Sequence, residues 1–367
     1  MSLDNFKRTC LIISASNVQN YYIRRNLIDL LSTRFENVYS VGDSLVNNCD
    51  KQIEWSGAYN RRGVFYEPLI FFKLLKIFIK YKPSHNISFS PKVNIYCGIL
   101  SYLFNAKHIA VISGIGKYSK QATKKLSLIR FLFWVSLRKA QAVVTMNDAN
   151  FVFFKTLLGS FKVSKFPSEG YCSPSVTMEK TGYSQRKILF LSRIIAQKGI
   201  FILLKAFEKL ILSYPNHKLT IAGELALDSK NGDLDLFTSL VNKTQAEYLG
   251  FVDDKLKQRL LEECHVVVLP SIYGEGLPMI LLEAQSYGCM VVTTRVPGCI
   301  DAIAPIMNDF LCEYSEHSLY ESLVKAISIS EFDMKRKGQI ASKWVREKHD
   351  IIHITEIYNN LFLKLGY

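Results

Sequence analysis

Four charged residues carry the chemistry that this 367-residue chain makes readable. Glu275 and Glu283 stand eight positions apart within residues 270–300, PSIYGEGLPMILLEAQSYGCMVVTTRVPGCI. Arg193 and Lys198 stand upstream, with Gly199 directly after them. Paired cations neutralise a phosphate; carboxylates beside them hold hydroxyls. The local patterns give both pairs a frame. Residues 266–269 are a short β-branched apolar run, which predicts a buried strand. Gly274-Glu275-Gly276 breaks it, and Pro278 suits the first position of a helix, where its missing N–H is unneeded. Gly288 stops that helix, and residues 290–294 form the next strand. A helix N-terminus after a parallel strand offers free N–H groups and a positive dipole end to an anion. Arg193 and Lys198 follow another apolar run, residues 188–191, and precede a second helix. In an open parallel sheet ligands bind at that strand edge. Alone, the R-x4-K-G pattern also fits a solvated cationic turn, and the two glutamates also fit exposed acids.

The elements that must position these residues alternate strand and helix along the whole chain. This predicts an α/β protein of two domains with parallel sheets. In the first half, strands are expected at residues 10–14, 38–41, 86–89, 108–112 and 142–145. Helices are expected at 21–31, 69–82, 94–104, 117–139 and 148–158, with residues 42–65 a loop. Residues 160–186, rich in Ser, Pro, Gly and Lys, read as the crossover. The second half predicts strands at 188–191, 219–222, 246–249, 266–269 and 290–294. Its helices fall at 200–212, 233–240, 254–264, 279–287, 317–329 and 331–348. A last helix, 351–365, is long enough to return to the first domain. The domains expected are 1–166, a linker 167–186, 187–348, and the terminal helix within 349–367.

Composition narrows the function classes. Hydrophobic residues make up 49% of the chain, enough for a core in each domain. Eight scattered cysteines without a CxxC pair predict reduced, buried thiols rather than a disulfide framework or a zinc site. No uncharged apolar run reaches the ~18 residues of a membrane span. Residues 1–183 hold 25 basic and 10 acidic residues, a net of +15, while residues 184–367 hold 21 and 22, a net of −1. That asymmetry points to a nucleic acid or an anionic membrane surface beside the first domain. Segments 69–82 and 117–139 set large apolar side chains beside lysines and arginines, which suits adsorption to an anionic bilayer; basic helices with buried apolar sides are the plainer reading. No nucleic-acid module is recognised. Asp233-Leu234-Asp235 matches the D-x-D of metal-dependent sugar transfer but also any acidic loop. His349 and His353, four apart on one expected helix, lack a third zinc ligand.

The combination Leu191-Ser192-Arg193…Lys198-Gly199, Gly223-Glu224, Gly250-Phe251, Pro270-Ser271…Glu275-Gly276-Leu277-Pro278…Glu283-Ala284…Gly288…Pro297-Gly298…Asp301 resembles a known family. It is similar to the retaining, nucleotide-sugar-dependent glycosyltransferases of the GT-B fold, glycosyltransferase family 4 type, whose mark is E-x7-E. The first domain resembles the bacterial surface-polysaccharide branch through SFSPKVNIYCGILSYLFNAKHIAVISGIG, Asn147-Asp148 and Ser168-Glu169-Gly170.

The resemblance implies a GT-B fold, two Rossmann-like domains facing across a cleft. Arg193 and Lys198 would neutralise the donor diphosphate. Gly276, Leu277, Pro278 and Met279 would hold phosphate and sugar oxygens. Glu275 would contact the transferred sugar, Glu283 the ribose, and Phe251 and Val252 would line the donor site. Catalysis would rest on Glu275, Arg193 and Lys198, with no metal and no cofactor. On the acceptor side the resemblance points to Ser14, Ser113, Gly114 and Gly116. There the chain departs from its relatives: Ser14-Ala15-Ser16-Asn17 replaces a glycine-rich turn, Ser113-Gly114-Ile115-Gly116 stands where many carry a histidine, and Ile300 replaces an arginine. The expected reaction moves a hexose or N-acetylhexosamine from a UDP-sugar to a polyprenyl-diphosphate-linked glycan of O-antigen or capsule biosynthesis. Its expected place is the inner face of the cytoplasmic membrane. A soluble acceptor, or sugar-nucleotide binding without transfer, are the alternatives.

Overall fold

The computed structural model describes residues 8–15, 17–43, 45–46, 51–55, 67–114, 124–174, 180–182, 184–227, 231–272 and 275–367. It divides into two compact units, residues 1–170 with Ile351–Tyr367, and Tyr171–Asp350.

The first unit runs β1 (Thr9–Ile13), α1 (Asn17–Ile23), α2 (Arg25–Ser32), β2 (Asn37–Gly42), β3 (Gln52–Glu54), α3 (Glu67–Tyr81) and β4 (His85–Phe89). It continues through α4 (Pro91–Leu103), β5 (Lys107–Ile112), α5 (Lys124–Leu137), β6 (Ala142–Thr145), α6 (Asp148–Leu158) and β7 (Val163–Lys165). The strands make one parallel sheet in the order β3-β2-β1-β4-β5-β6-β7. β1 is buried at all five positions, as a central strand covered on both faces must be. Leu74, Phe78, Val93 and Cys97 of α3 and α4 pack with Leu11, Ile13 and Val41. Phe133, Leu137 and Phe154 of α5 and α6 pack with Ala110, Ile112 and Val143.

The second unit runs β8 (Lys187–Leu191), α7 (Ile200–Ser213), β9 (Lys218–Ala222), α8 (Asp233–Thr244), β10 (Glu247–Tyr248) and α9 (Asp254–Glu263). Then follow β11 (Val266–Leu269), α10 (Met279–Ser286), β12 (Met290–Thr294), β13 (Leu311–Cys312), α11 (Glu316–Ser328) and α12 (Glu331–His349). Its parallel sheet has the order β10-β9-β8-β11-β12-β13. α7 buries Ile200, Leu203, Leu204, Phe207 and Leu210, the i, i+3, i+4, i+7 stripe of a core-facing helix. The last helix, α13 (Ile351–Leu365), packs in the first unit against α2, where Arg34 donates to the Tyr367 carbonyl at 3.1 Å.

Several expectations change. The loop 42–65 contains β3, and the crossover 160–186 contains β7; both are three-residue edge strands, too short to show a period. The single helix 21–31 is α1 and α2 with a bend at Arg24, whose side chain is buried in an ion pair. His349 ends α12 and His353 lies in α13, with extended Asp350 between them, so they do not share a helix face. Asp233 and Asp235 sit in the first turn of α8, where they complement the helix dipole. Of the cysteines described, all are buried except Cys172.

Candidate functional site

In the second unit the strand order reverses between β8 and β11. A crevice outside the carboxyl ends of the strands at such a switch point is where open α/β sheets bind ligands. The two loops flanking it carry Arg193 with Lys198, and Glu275 with Gly276.

After β8 the chain passes Arg193, makes a single 3₁₀ turn at Ala196–Lys198, and enters α7 through Gly199 in the left-handed region. Glycine is required there twice over. Its φ of +79° strains any other residue, and an added Cβ would overlap the Pro270 carbonyl. The β8 loop therefore lies directly on the β11 loop. Ile272 N donates to the Gln197 carbonyl at 3.0 Å, and Ser271 Oγ lies 3.3 Å from the same oxygen. On the other side, a Cβ at Gly298 would overlap the carbonyls of Glu275 and Gly276, so the turn after β12 presses against the same segment.

Lys198 Nζ lies 2.7 Å from Glu275 Oε1, with each side chain only about a tenth exposed, and Ser271 Oγ donates to that same carboxylate oxygen at 2.7 Å. Arg193 is exposed and has no ion pair among the described residues. The structure thus brings Lys198 and Glu275 into contact, and leaves Arg193 the open cation of the pair.

α10 begins at Met279, with Pro278 as its N-cap in extended conformation, one position earlier in the helix than the sequence suggests. The Pro278 carbonyl accepts from Leu281 N at 3.0 Å and closes the first turn, so the fixed φ of proline serves at the cap. No side chain caps this helix. Leu277 and Pro278 are buried, while Gly276 and Met279 are partly exposed at its start.

Glu283, on the second turn of α10, is nearly buried and lies 3.3 Å from Lys257 of α9, which also pairs with Asp254 at 3.2 Å. Burial raises the Glu283 carboxyl, and the facing Lys257 only partly opposes this. Burial alone would lower the Lys257 ammonium, but the Glu283 and Asp254 carboxylates outweigh it and raise it. A buried carboxylate held by one ammonium can accept hydroxyl hydrogen bonds.

Phe251 and Val252 follow β10, the sheet's outer strand, so β9 separates their strand from β8. Phe251 is 81% exposed, an open ring at the same end of the sheet. On the first unit, Ser14 follows β1 and is fully buried, its N–H donating to the Val41 carbonyl at 3.0 Å. Ser113 and Gly114 follow β5, one strand beyond β4, so Ser14 does not share their loop. Gly116 lies outside the described residues.

Sequence reasoning assigned no role to Lys257, Ser271 or Gln197. Ser271 stood within the quoted motif, but its contact with Glu275 depends on the turn closing. Lys257 gave no signal, because α9 precedes β11 and its approach to α10 is a packing outcome.

Residues 179–343 match the family model described as glycosyl transferases group 1. An uncharacterized glycosyltransferase of Methanocaldococcus jannaschii is 36% identical over 34% of this chain and 31% of its own length. The N,N'-diacetylbacillosaminyl-diphospho-undecaprenol alpha-1,3-N-acetylgalactosaminyltransferase of Campylobacter jejuni is 26% identical over 53% of this chain and 54% of its own. The chain thus spans about half, or less, of the length of these curated relatives. HepE of Anabaena, solved with UDP and glucose, superposes with a TM-score of 0.71 at 15% identity, over 97% of this chain and 99% of that one. Most of the second unit thus matches the model of the glycosyl transferases group 1 family, and the two Rossmann-like units have the GT-B fold.

Proposed function

We propose that the protein is a retaining glycosyltransferase that moves a hexose or N-acetylhexosamine from a UDP-sugar to a lipid-linked glycan. The observation that carries this is the switch point of the second unit, where a cation-bearing loop and an uncapped helix start lie on one another with Glu275 between them. In this reading Arg193 and Lys198 stabilise the diphosphate as the bond from the anomeric carbon to the phosphate oxygen breaks. The acceptor oxygen forms the new bond on the same face, and the departing phosphate takes its proton. Gly276 to Met279 hold phosphate and sugar oxygens, Glu275 meets the sugar, Glu283 the ribose hydroxyls, and Phe251 with Val252 the base. The cations and the helix dipole replace a metal. HepE binds UDP and UDP-glucose, which favours a uridine nucleotide.

The Campylobacter relative is named for a diphospho-undecaprenol substrate, and a second, CapM of Staphylococcus aureus, for capsular polysaccharide biosynthesis. Together with the basic first unit, these support a polyprenyl-diphosphate-linked acceptor in surface-polysaccharide synthesis, met at the inner face of a membrane. No helix among the described residues is long and apolar enough to cross a membrane, so association would be peripheral. Ser113 and Gly114 are the acceptor-side residues in this reading.

Because Lys198 and Glu275 already pair, the donor phosphate must draw Lys198 from the carboxylate, which releases Glu275 toward the sugar. Nucleotide-sugars screened by thermal unfolding test the reading. A UDP-sugar should raise the transition in proportion to the logarithm of its concentration, and Arg193→Ala should abolish the shift without lowering the unliganded transition. No shift with any nucleotide or nucleotide-sugar would overturn it.

A further inference from the structure

We propose that the outer face of α5, with the neighbouring ends of α4 and α6, is the surface that docks on an anionic lipid bilayer. This deepens the lipid-linked acceptor reading and rests on it for its purpose, but its evidence is separate.

α5 is apolar on opposite sides. Ile129, Phe133 and Leu137 point into the core beneath it. Leu128, Phe131, Leu132 and Trp134 are exposed, by 58, 57, 38 and 41% respectively. A helix that is hydrophobic all round normally lies buried or meets a second apolar phase, and contiguous exposed apolar side chains mark an interaction site. Phe131 and Trp134 stack at 6.4 Å, so they form one patch.

The patch widens through its neighbours. α4 crosses α5 at Gly98, where a Cβ would overlap the Ser136 carbonyl. The last turn of α4 ends in exposed Tyr102 and Leu103, and Tyr102 shares a cavity of about 230 Å³ with Lys139 at the end of α5. On the other flank, Phe161 projects fully into solvent from the turn after α6, and the adjacent Lys162 ties that turn to α5 by donating to the Arg138 carbonyl at 2.5 Å.

Charge selects the occupant. Residues 68–168 contain 16 Lys and Arg but one acid, Asp148, so this stretch holds the whole positive excess of the chain. Asp148 is itself paired with Lys165 at 2.6 Å. Around the patch, Arg138 covers the Trp134 ring at 4.8 Å and Arg130 the Phe153 ring at 5.5 Å. Aromatic rings at the headgroup level with arginines beside them are the composition of an interfacial helix, whose affinity joins buried apolar area to attraction for anionic lipid. A nucleic acid would use the charge and leave the aliphatic side chains idle; a protein partner would need acids opposite every arginine.

The test uses the full chain and sedimentation with phosphatidylglycerol-containing vesicles, with pure phosphatidylcholine vesicles as control. Trp134 is the reporter, since Trp55 is buried and Trp344 only partly exposed. Anionic vesicles should shift its emission to the blue, and brominated lipid should quench it. Trp134→Phe should remove the shift and keep most of the binding. The double variant Phe131→Ser, Trp134→Ser should lower partitioning by about tenfold or more. Arg130→Gln, Arg138→Gln and Lys139→Gln should each lower it about fivefold, and salt should do the same. Wild-type partitioning by the double serine variant would overturn the proposal. So would loss in the glutamine variants alone, accompanied by tight binding of single-stranded RNA. If the serine variant unfolds early, the quenching of wild-type Trp134 decides instead, and its absence overturns the proposal. Sugar transfer to a water-soluble acceptor should survive the serine changes. A protein that binds vesicles in this pattern but never transfers sugar would sink the enzymatic reading and leave the docking surface standing.

Discussion

At its switch point, between β1 and β4, the first unit places Asn17, Asn20, Ser40 and Arg24; the second, between β8 and β11, places Arg193, Lys198 and Glu275. The strand orders match, apart from the added β7, yet the two places are filled in opposite ways. In the first unit the polar groups consume one another. Asn20 Nδ2 donates to the Ile12 carbonyl at 3.3 Å and to Ser40 Oγ at 3.0 Å, and Ser40 Oγ donates to Asn17 Oδ1 at 2.6 Å. Arg24 donates to Asn20 Oδ1 at 3.1 Å, pairs with Glu169 at 2.8 Å, and lies 3.9 Å over the Phe89 ring. All of these are buried or nearly so. In the second unit the helix start is uncapped, Arg193 is open, and glycine lets the loops touch backbone to backbone. A shared topology supplies a crevice; the side chains decide whether the protein or a ligand fills it.

The sharpest break of this comparison comes from Arg24→Ala. It strands the Glu169 carboxylate in a buried site and should cost about 3–5 kcal/mol of first-unit stability. Urea unfolding followed by α-helix signal checks it. A loss below about 1 kcal/mol would mean that solvent reaches the pair and that the first switch point is not self-filled.

Arg193→Ala is the counterpart in the second unit. Being exposed and outside any ion pair described, Arg193 should cost less than about 0.5 kcal/mol of stability, while transfer falls about 100- to 1000-fold, as when one donor to a developing charge is lost. Lys198→Ala should lower both, because it leaves Glu275 without its ammonium. Equal stability loss in the two variants would remove the distinction drawn between the open and the paired cation.

Gly199→Ala comes next. A left-handed φ and an overlap with the Pro270 carbonyl together should cost about 2–3 kcal/mol. The same change at Gly182, whose φ is also positive but with nothing within 4 Å of an added Cβ, should cost only the backbone share. Chemical unfolding of the two variants measures the loop-on-loop contact as their difference.

The second unit was the more legible of the two from sequence, and the reason is physical. Its charged loops follow buried β-branched strands such as Val266–Leu269, and glycines fall where backbones must touch, so strand, turn and helix each leave a local mark. What is not local stayed hidden. Lys257 reaches Glu283 across two helices, and the pairing of Lys198 with Glu275 spans 77 positions. In the first unit, the polar cluster around Arg24 joins residues up to 145 positions apart and carries no motif. The edge strands β3 and β7 were missed because three residues show no alternation, and the bend at Arg24 because no glycine or proline marks it. The apolar outer face of α5 was visible as composition, but only the structure separates the side chains that are core from those that are not.

The smallest effect sharpens the contrast best. Glu283 has its folded carboxyl raised by burial, with Lys257 pulling partly against that. The folded state therefore binds this proton more tightly than the unfolded chain does. The associated stability is full below the ordinary carboxyl range and is lost as pH rises through the raised value. At neutral pH the ionised group opposes folding, so Glu283→Gln should stabilise the second unit and flatten the pH dependence between the carboxyl range and neutrality. Lys257 keeps Asp254 as a partner. Affinity for a UDP-sugar should fall about tenfold at the same time, through the lost charge-assisted hydrogen bonds to the ribose. The matching change in the first unit, Glu169→Gln, should do the reverse: it removes the only counter-charge described for buried Arg24 and destabilises. Thermal unfolding of both variants across pH decides the matter. Stabilisation by one and destabilisation by the other is what a ligand site and a structural ion pair require; the same sign in both would mean that the two carboxylates do the same work.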